Sequence, residues 1–139
     1  MKNLLIILSF LSFALVGSGL FAQERVPLHT LMNKEGKYYS GDILYTGTGY
    51  SLHSNGQLGF QSYYKEGNPD GLWRSWYENG QLKSEANYKE GNPDGLWRGW
   101  HENGQLGFQS YYKEGNPDGL WRGWHENGQL ASEEYYKDG

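Results

Sequence analysis

The sequence predicts an all-β protein: an antiparallel meander of repeated β-hairpins. Three observations carry that prediction. The first is a 24-residue period: "GNPDGLWR" stands unchanged at 67–74, 91–98 and 115–122, and "NGQL" at 55–58, 79–82, 103–106 and 127–130. Repetition at such a period marks stacked supersecondary units. The second is composition: 21 glycines and 17% aromatic residues in 139, with Val and Ile scarce, suit tight turns between short Trp/Tyr-rich strands. The third is that each unit holds two turn signals with six to eight residues between them and no helical periodicity.

The elements follow in chain order. Residues 1–22 have the plan of a secretory signal peptide, with Lys2, an apolar run from Leu4 to Val16, then Gly17, Ser18, Gly19 and Ala22. The run is short of the ~20 residues that cross a bilayer, so membrane contact is expected only through the transient leader, with cleavage after Ala22. Residues 23–37 stand outside the repeats and read as a linker or N-terminal cap. Residues 38–139 form the array of about four units, of which the first, "YTGTGYSLHSNGQL" (45–58), is diverged. The block 59–74 recurs unchanged at 107–122, as duplication of a two-unit segment would leave it.

Asn-Gly reads as a two-residue type I′ hairpin loop and Asn-Pro-Asp-Gly as a four-residue type I reversal. The first assignment pairs residues 77 with 82, 75 with 84 and 73 with 86 on one face, and 76 with 83 and 74 with 85 on the other. It also sets Gly99 opposite Phe108 and Arg122 opposite Glu133. The second assignment pairs Gly91 with Leu96, Tyr88 with Gly99 and Tyr112 with Gly123, so that Gly99 lies between Tyr88 and Phe108. The face with Trp73, Trp97 and Trp121, joined by Leu82, Leu106 and Leu130, is expected to be buried. Trp76, Trp100 and Trp124 share the other face with Arg74, Arg98 and Arg122. These six are the candidate binding residues, with the indoles either packing or forming a displayed row.

Charge and composition exclude several function classes. A formal net charge of −4 without a Lys/Arg cluster is unsuited to nucleic acid. With no cysteine, an exported chain has neither disulfides nor a lipidation thiol. Glu66, Asp70 and Glu78, with their copies at 90, 94, 102, 114, 118 and 126, are turn residues in several identical sets, whereas catalysis needs one asymmetric pocket. His53, His101 and His125 occupy equivalent positions, which in successive hairpins lie two strands or about 9.6 Å apart, too far to share an ion with ligands at about 2 Å; Tyr77 fills the same position in the second unit, which favours an aromatic packing role. The acidic turns lack the ligand-dense alternation of calcium loops. His29 is the one unrepeated titratable group of interest before the array. No enzyme activity, cofactor or metal is therefore expected.

The pattern "DGLWRxWxENGQLxxExxYKEGxxxG" resembles the MORN-repeat variant of many bacterial proteins, including the YwqK-like group labelled antitoxins. The resemblance spans about 38–139, and "YTG" at 45–47 matches the usual opening of such arrays. It implies hairpins stacked into an elongated, single-layer twisted sheet that serves as a scaffold or binding surface rather than in catalysis. The first unit lacks the Trp and Arg of the pattern, as a capping unit does. The functional expectation is a secreted, periplasmic or envelope scaffold of a bacterium that binds a protein partner. The alternatives are a carbohydrate or cell-wall module using the Trp76, Trp100 and Trp124 row, and a toxin-neutralising protein. An open C-terminal edge strand adds the expectation of self-association.

Overall fold

The computed structural model describes residues 24–137; the leader expected over 1–22 lies outside them. Among the described residues there are strands and one short 3₁₀ turn, Leu28–Thr30, and no α-helix. The eight long strands of the array are β5 (Gly47–Leu52), β6 (Leu58–Lys65), β8 (Gly71–Trp76), β9 (Leu82–Lys89), β10 (Asn92–Trp100), β11 (Leu106–Lys113), β13 (Gly119–Trp124) and β14 (Leu130–Tyr136). They neighbour one another in sequence order in a single open sheet. Two-residue pieces, β7 (Asn68–Pro69) and β12 (Asn116–Pro117), pair with β6 and β11. At the N-terminal edge β1 (Arg25–Pro27) joins β5 in parallel, the one parallel pairing among the described residues. A separate small sheet holds β2 (Met32–Lys34), β3 (Lys37–Ser40) and β4 (Ile43–Leu44).

The chain reverses at Glu-Gly, not at Pro-Asp. Lys89 pairs with Asn92 across Glu90-Gly91, and those two residues have φ 50° and 89°. Two positive φ values in succession define the type I′ turn. Glu35, Glu66 and Glu114 adopt the same conformation before their glycines. "NPDG" lies beyond this turn as an irregularity inside one strand: Pro93 pairs with Tyr88, the register slips, and Trp97 resumes pairing with Ala86. Gly95, with φ 99°, supplies the left-handed residue that the slip requires. The expected pairs Gly91 with Leu96, Tyr88 with Gly99 and Tyr112 with Gly123 are accordingly not formed. Tyr88 instead faces Gly71 and Pro93. Gly99 lies between Ser84 and Phe108, where a Cβ would stand 2.1 Å from the Phe108 ring.

The Asn-Gly loops are also of another kind. Gly80 N–H donates to the Tyr77 carbonyl and Tyr77 N–H to that of Gln81, both at 2.9 Å, which makes a three-residue loop with only Gly80 left-handed. Asn79 is used as an acceptor: its Oδ1 takes the Gln81 N–H at 2.9 Å. Past the loop, after Gln81 and Leu82, Lys83 is left unpaired as a bulge, because Trp76 pairs with Leu82 and Ser75 with Ser84. Loop and bulge cancel, so the expected pairs Trp73 with Ala86, Arg74 with Glu85 and Ser75 with Ser84 do form, as do Gly99 with Phe108 and Arg122 with Glu133. Before the cancellation the expectation fails. Trp76 faces Leu82 rather than Lys83, and likewise Trp100 faces Leu106 and Trp124 faces Leu130. Directly opposed residues share a face, so these leucines join the second Trp row, not the first.

What holds the first face together is a spine of eight rings. It runs Tyr38, Tyr64, Trp73, Tyr88, Trp97, Tyr112, Trp121, Tyr136, with successive centroids 4.5, 5.7, 4.5, 5.5, 4.8, 5.1 and 4.7 Å apart. Each contact contributes roughly 0.5–1.5 kcal/mol beyond its area. Trp73, Trp97 and Trp121 are half-buried rather than buried, because one layer has no second sheet to cover it. The fully covered rings are at the N-terminal end: Tyr45 and Tyr64 are 2% and 1% exposed. Tyr45 donates its hydroxyl to the Glu24 and Thr48 carbonyls at 3.1 and 3.0 Å.

Two predictions follow from this arrangement. Asn tolerates the left-handed region better than Glu, so Glu90→Asn is expected to stabilise the fold by about 0.5 kcal/mol, while Asp94→Asn is not. The urea midpoint reads both. Burial pushes the Tyr64 phenol up to about 12. The folded state then retains a proton that the unfolded chain releases near its ordinary value of 10. Stability is expected to be flat with respect to this group below about pH 10 and to fall as pH rises toward 12. A Tyr64→Phe variant should lose that component of the alkaline slope in pH-dependent denaturation.

Candidate binding surfaces

The sheet presents two unlike faces. On the second face, a polar ladder crosses the array in hydrogen-bond register: Gln61, Arg74, Glu85, Arg98, Gln109, Arg122 and Glu133. Glu85 stands 3.7 Å from both the Arg74 and Arg98 guanidinium groups, and Arg122 meets Glu133 at 2.7 Å. Beside this ladder, two residues along each strand, lie Trp76, Trp100 and Trp124, each half-buried and paired with a leucine. All six candidate binding residues are thus on one face, in adjoining rows that repeat on alternate strands.

Each Trp strand end is fixed by the preceding unit. His53 donates from Nε2 to the Trp76 carbonyl at 2.9 Å, Tyr77 donates its hydroxyl to that of Trp100 at 2.7 Å, and His101 donates from Nε2 to that of Trp124 at 2.8 Å. These positions are inter-unit staples, a role that packing arguments from the sequence missed. The bulge residue behind each staple matches it: a Cβ on Gly59 or Gly107 would approach the His53 or His101 ring to 3.1 Å, whereas Tyr77 is accompanied by Lys83, whose ammonium lies 5.4 Å from its ring. At the opposite ends of the strands, Gly91 N–H donates to the Pro69 carbonyl and Gly115 N–H to that of Pro93, each at 2.8 Å. Glu90 N–H donates to the Asp70 carboxylate at 3.2 Å and Glu114 N–H to that of Asp94 at 3.4 Å. The carboxylates of Asp70 and Asp94 are therefore structural acceptors. Among the described residues no cluster of three or more His, Cys, Asp or Glu is placed to hold a metal ion.

The first face carries the aromatic spine and, beside it, a trough floored by small residues. Phe60 and Phe108 divide it. The cell between them has a volume of about 200 Å³, and the cell beyond Phe108 about 490 Å³. Glu134 lines the larger cell. It occupies the unit position held by Ser62, Ala86 and Ser110, so aligning the four units on their period would have singled it out.

The family model of the MORN repeat variant matches three consecutive segments, 69–90, 93–114 and 117–138. The chain belongs to the MORN repeat variant family. No curated protein and no solved structure matches it at a significant level. Each matched MORN segment begins within or just after an "NPDG" irregularity and ends in or just before the next Glu-Gly or Asp-Gly pair. It therefore contains one complete Asn-Gly hairpin, the unit that the inter-unit hydrogen bonds join.

The staples give the MORN-variant array a graded sensitivity. His101→Ala leaves the Trp124 carbonyl without its donor and is expected to cost about 1 kcal/mol. His125→Ala removes an exposed imidazole with no hydrogen bond among the described residues and should fall within about 0.5 kcal/mol of wild type. Thermal denaturation of the two variants side by side checks the difference.

Proposed function

We propose that this protein is a non-catalytic repeat scaffold, exported by a bacterium to its envelope or surroundings, whose second face binds a protein partner. The observation that carries this reading is the recurrence of one Arg/Trp surface on alternate strands, at Arg74 and Trp76, Arg98 and Trp100, and Arg122 and Trp124. Arg and Trp are the residue types that dominate binding hot spots. Their repetition suits a partner with a repeating or extended surface of its own, because several modest contacts add along the array. Export rests on the leader sequence at 1–22.

The Trp row also supports a second reading, a carbohydrate or wall-polymer module. Half-exposed indoles about 9.6 Å apart match the spacing at which extended sugars stack. The toxin-neutralising reading rests on the resemblance alone. Self-association is a further arm of the proposal: among the described residues β14 is hydrogen-bonded on one side only, and sedimentation against concentration measures it.

The test uses the full chain as bait for envelope extract and for a glycan array. Under the protein-partner reading, Arg98→Ala and Arg122→Ala together weaken capture of a single specific partner by about tenfold or more, with the melting temperature little changed. A glycan signal that disappears in Trp100→Phe and Trp124→Ala variants, with no protein captured, selects the second reading. No specific capture by either route removes both.

A further inference from the structure

The larger cell of the trough lies on the face opposite the Arg/Trp rows, and its chemistry differs from theirs. Its walls are aromatic: Trp97, Phe108, Tyr112, Trp121 and Tyr136. Its floor is kept low by Ser110 and Gly123, and a Cβ on Gly123 would stand 2.8 Å from the Ser132 hydroxyl. Phe108 forms the dividing wall with its ring lying over Gly99, its cross-strand neighbour, where a Cβ would stand 2.1 Å from the ring. The volume of about 490 Å³ holds a group of several heavy atoms.

Two charged residues border this cell. Arg122 is already committed, with its guanidinium 2.7 Å from Glu133 on the other face. Glu134 has no ion-pair partner among the described residues, and its carboxylate is oriented by the hydroxyl of Tyr136, which donates to Oε2. That hydrogen bond also holds the Tyr136 phenol above its usual range. The smaller cell has Ala86 at the equivalent position and offers no such group on this face. One carboxylate without a counter-ion, set among electron-rich ring faces, is complementary to a compact organic cation.

We propose that the cell bounded by Phe108, Trp121, Tyr136 and Glu134 binds an aliphatic ammonium group. The rings supply the apolar and cation–π contacts, and Glu134 supplies the countercharge. The site is independent of the surface assigned above to a protein partner.

The experiment follows the tryptophan fluorescence of the full chain during titration with tetramethylammonium chloride and n-butylammonium chloride. Sodium chloride matches ionic strength, and tert-butanol serves as the neutral probe of similar bulk. The expected result is a saturable change with at least one ammonium salt, and which one responds separates methylated from primary ammonium chemistry. Tert-butanol should give no saturable change. Glu134→Gln should weaken ammonium binding about tenfold, whereas Glu126→Gln, in the Asn-Gly loop and outside the lining of the cell, should leave it unaltered. Both substitutions are at exposed positions, and coincident melting curves will show that the fold is kept. Absence of saturation with both salts overturns the proposal, as does an equal response to tert-butanol or an unchanged affinity in Glu134→Gln.

Discussion

The constraint on which this structure depends is that no hairpin covers its own aromatic rings. An isolated two-stranded hairpin is marginal in water, and here each Trp of the spine is sandwiched between tyrosines on neighbouring strands, such as Trp97 between Tyr88 and Tyr112. Stability is therefore a nearest-neighbour property, accumulated unit by unit. It also needs a beginning. Residues 24–45 provide one by laying Tyr38 and Tyr45 against Tyr64 and by pairing β1 with the edge strand β5. Burial of the tyrosine series accordingly declines along the chain: Tyr64 is buried, Tyr88 and Tyr112 half-buried.

The same dependence accounts for the unchanged octapeptide. Gly67 completes a type I′ turn. Pro69 is asked by the next unit only for its carbonyl, so its missing N–H is not needed there. Asp70 accepts the N–H of Glu90 from the following turn, Gly71 carries the positive φ of the strand irregularity, Trp73 enters the spine and Arg74 the polar ladder. The indole of Trp73 adds a hydrogen bond to the Tyr63 carbonyl at 3.2 Å, next to the point where the ladder opens. The diverged first unit retains the scheme with other atoms: Tyr45 supplies the carbonyl for Gly67, and Thr46 Oγ1 replaces the aspartate carboxylate at 2.8 Å from Glu66 N.

Period, fold class and the register of each Asn-Gly hairpin beyond its bulge were legible because they depend on residue types and spacings within one unit. The turn types were not, because hydrogen bonds that spacing does not reveal, from the Asn side chains within their own loops and between units at Glu-Gly, accompany them. Asn-Gly has the stronger local preference for type I′, but its Asn is recruited as a side-chain acceptor, and Asn55 and Asn103 also donate to the carbonyls of Glu78 and Glu126 in the next loop. Glu-Gly has a weaker local preference and takes the type I′ conformation because its two N–H groups meet Asp70 and Pro69. At Asn-Gly the extra loop residue and the bulge cancelled in register, whereas at Glu-Gly the expected pairs were lost. The candidate rows on the second face could be read from their period. The carboxylate on the first face breaks the period, and attention to what repeats passed over it.

That difference between the faces bears on how each could act. On the second face the arginines are engaged but not saturated, since Glu85 serves both Arg74 and Arg98, and Gln109 stands where a second acid would balance Arg98 and Arg122. Ion pairs this accessible to solvent contribute only about 0–1 kcal/mol to the fold. A partner's carboxylates or carbonyls can therefore take over these guanidinium groups at little cost to the sheet, while the Trp and Leu rows beside them supply the desolvated contact that gives such exchanges their affinity. A repeated surface of this kind gains strength from the number of units engaged. The first face can discriminate through a single cell, because one unit alone carries Glu134.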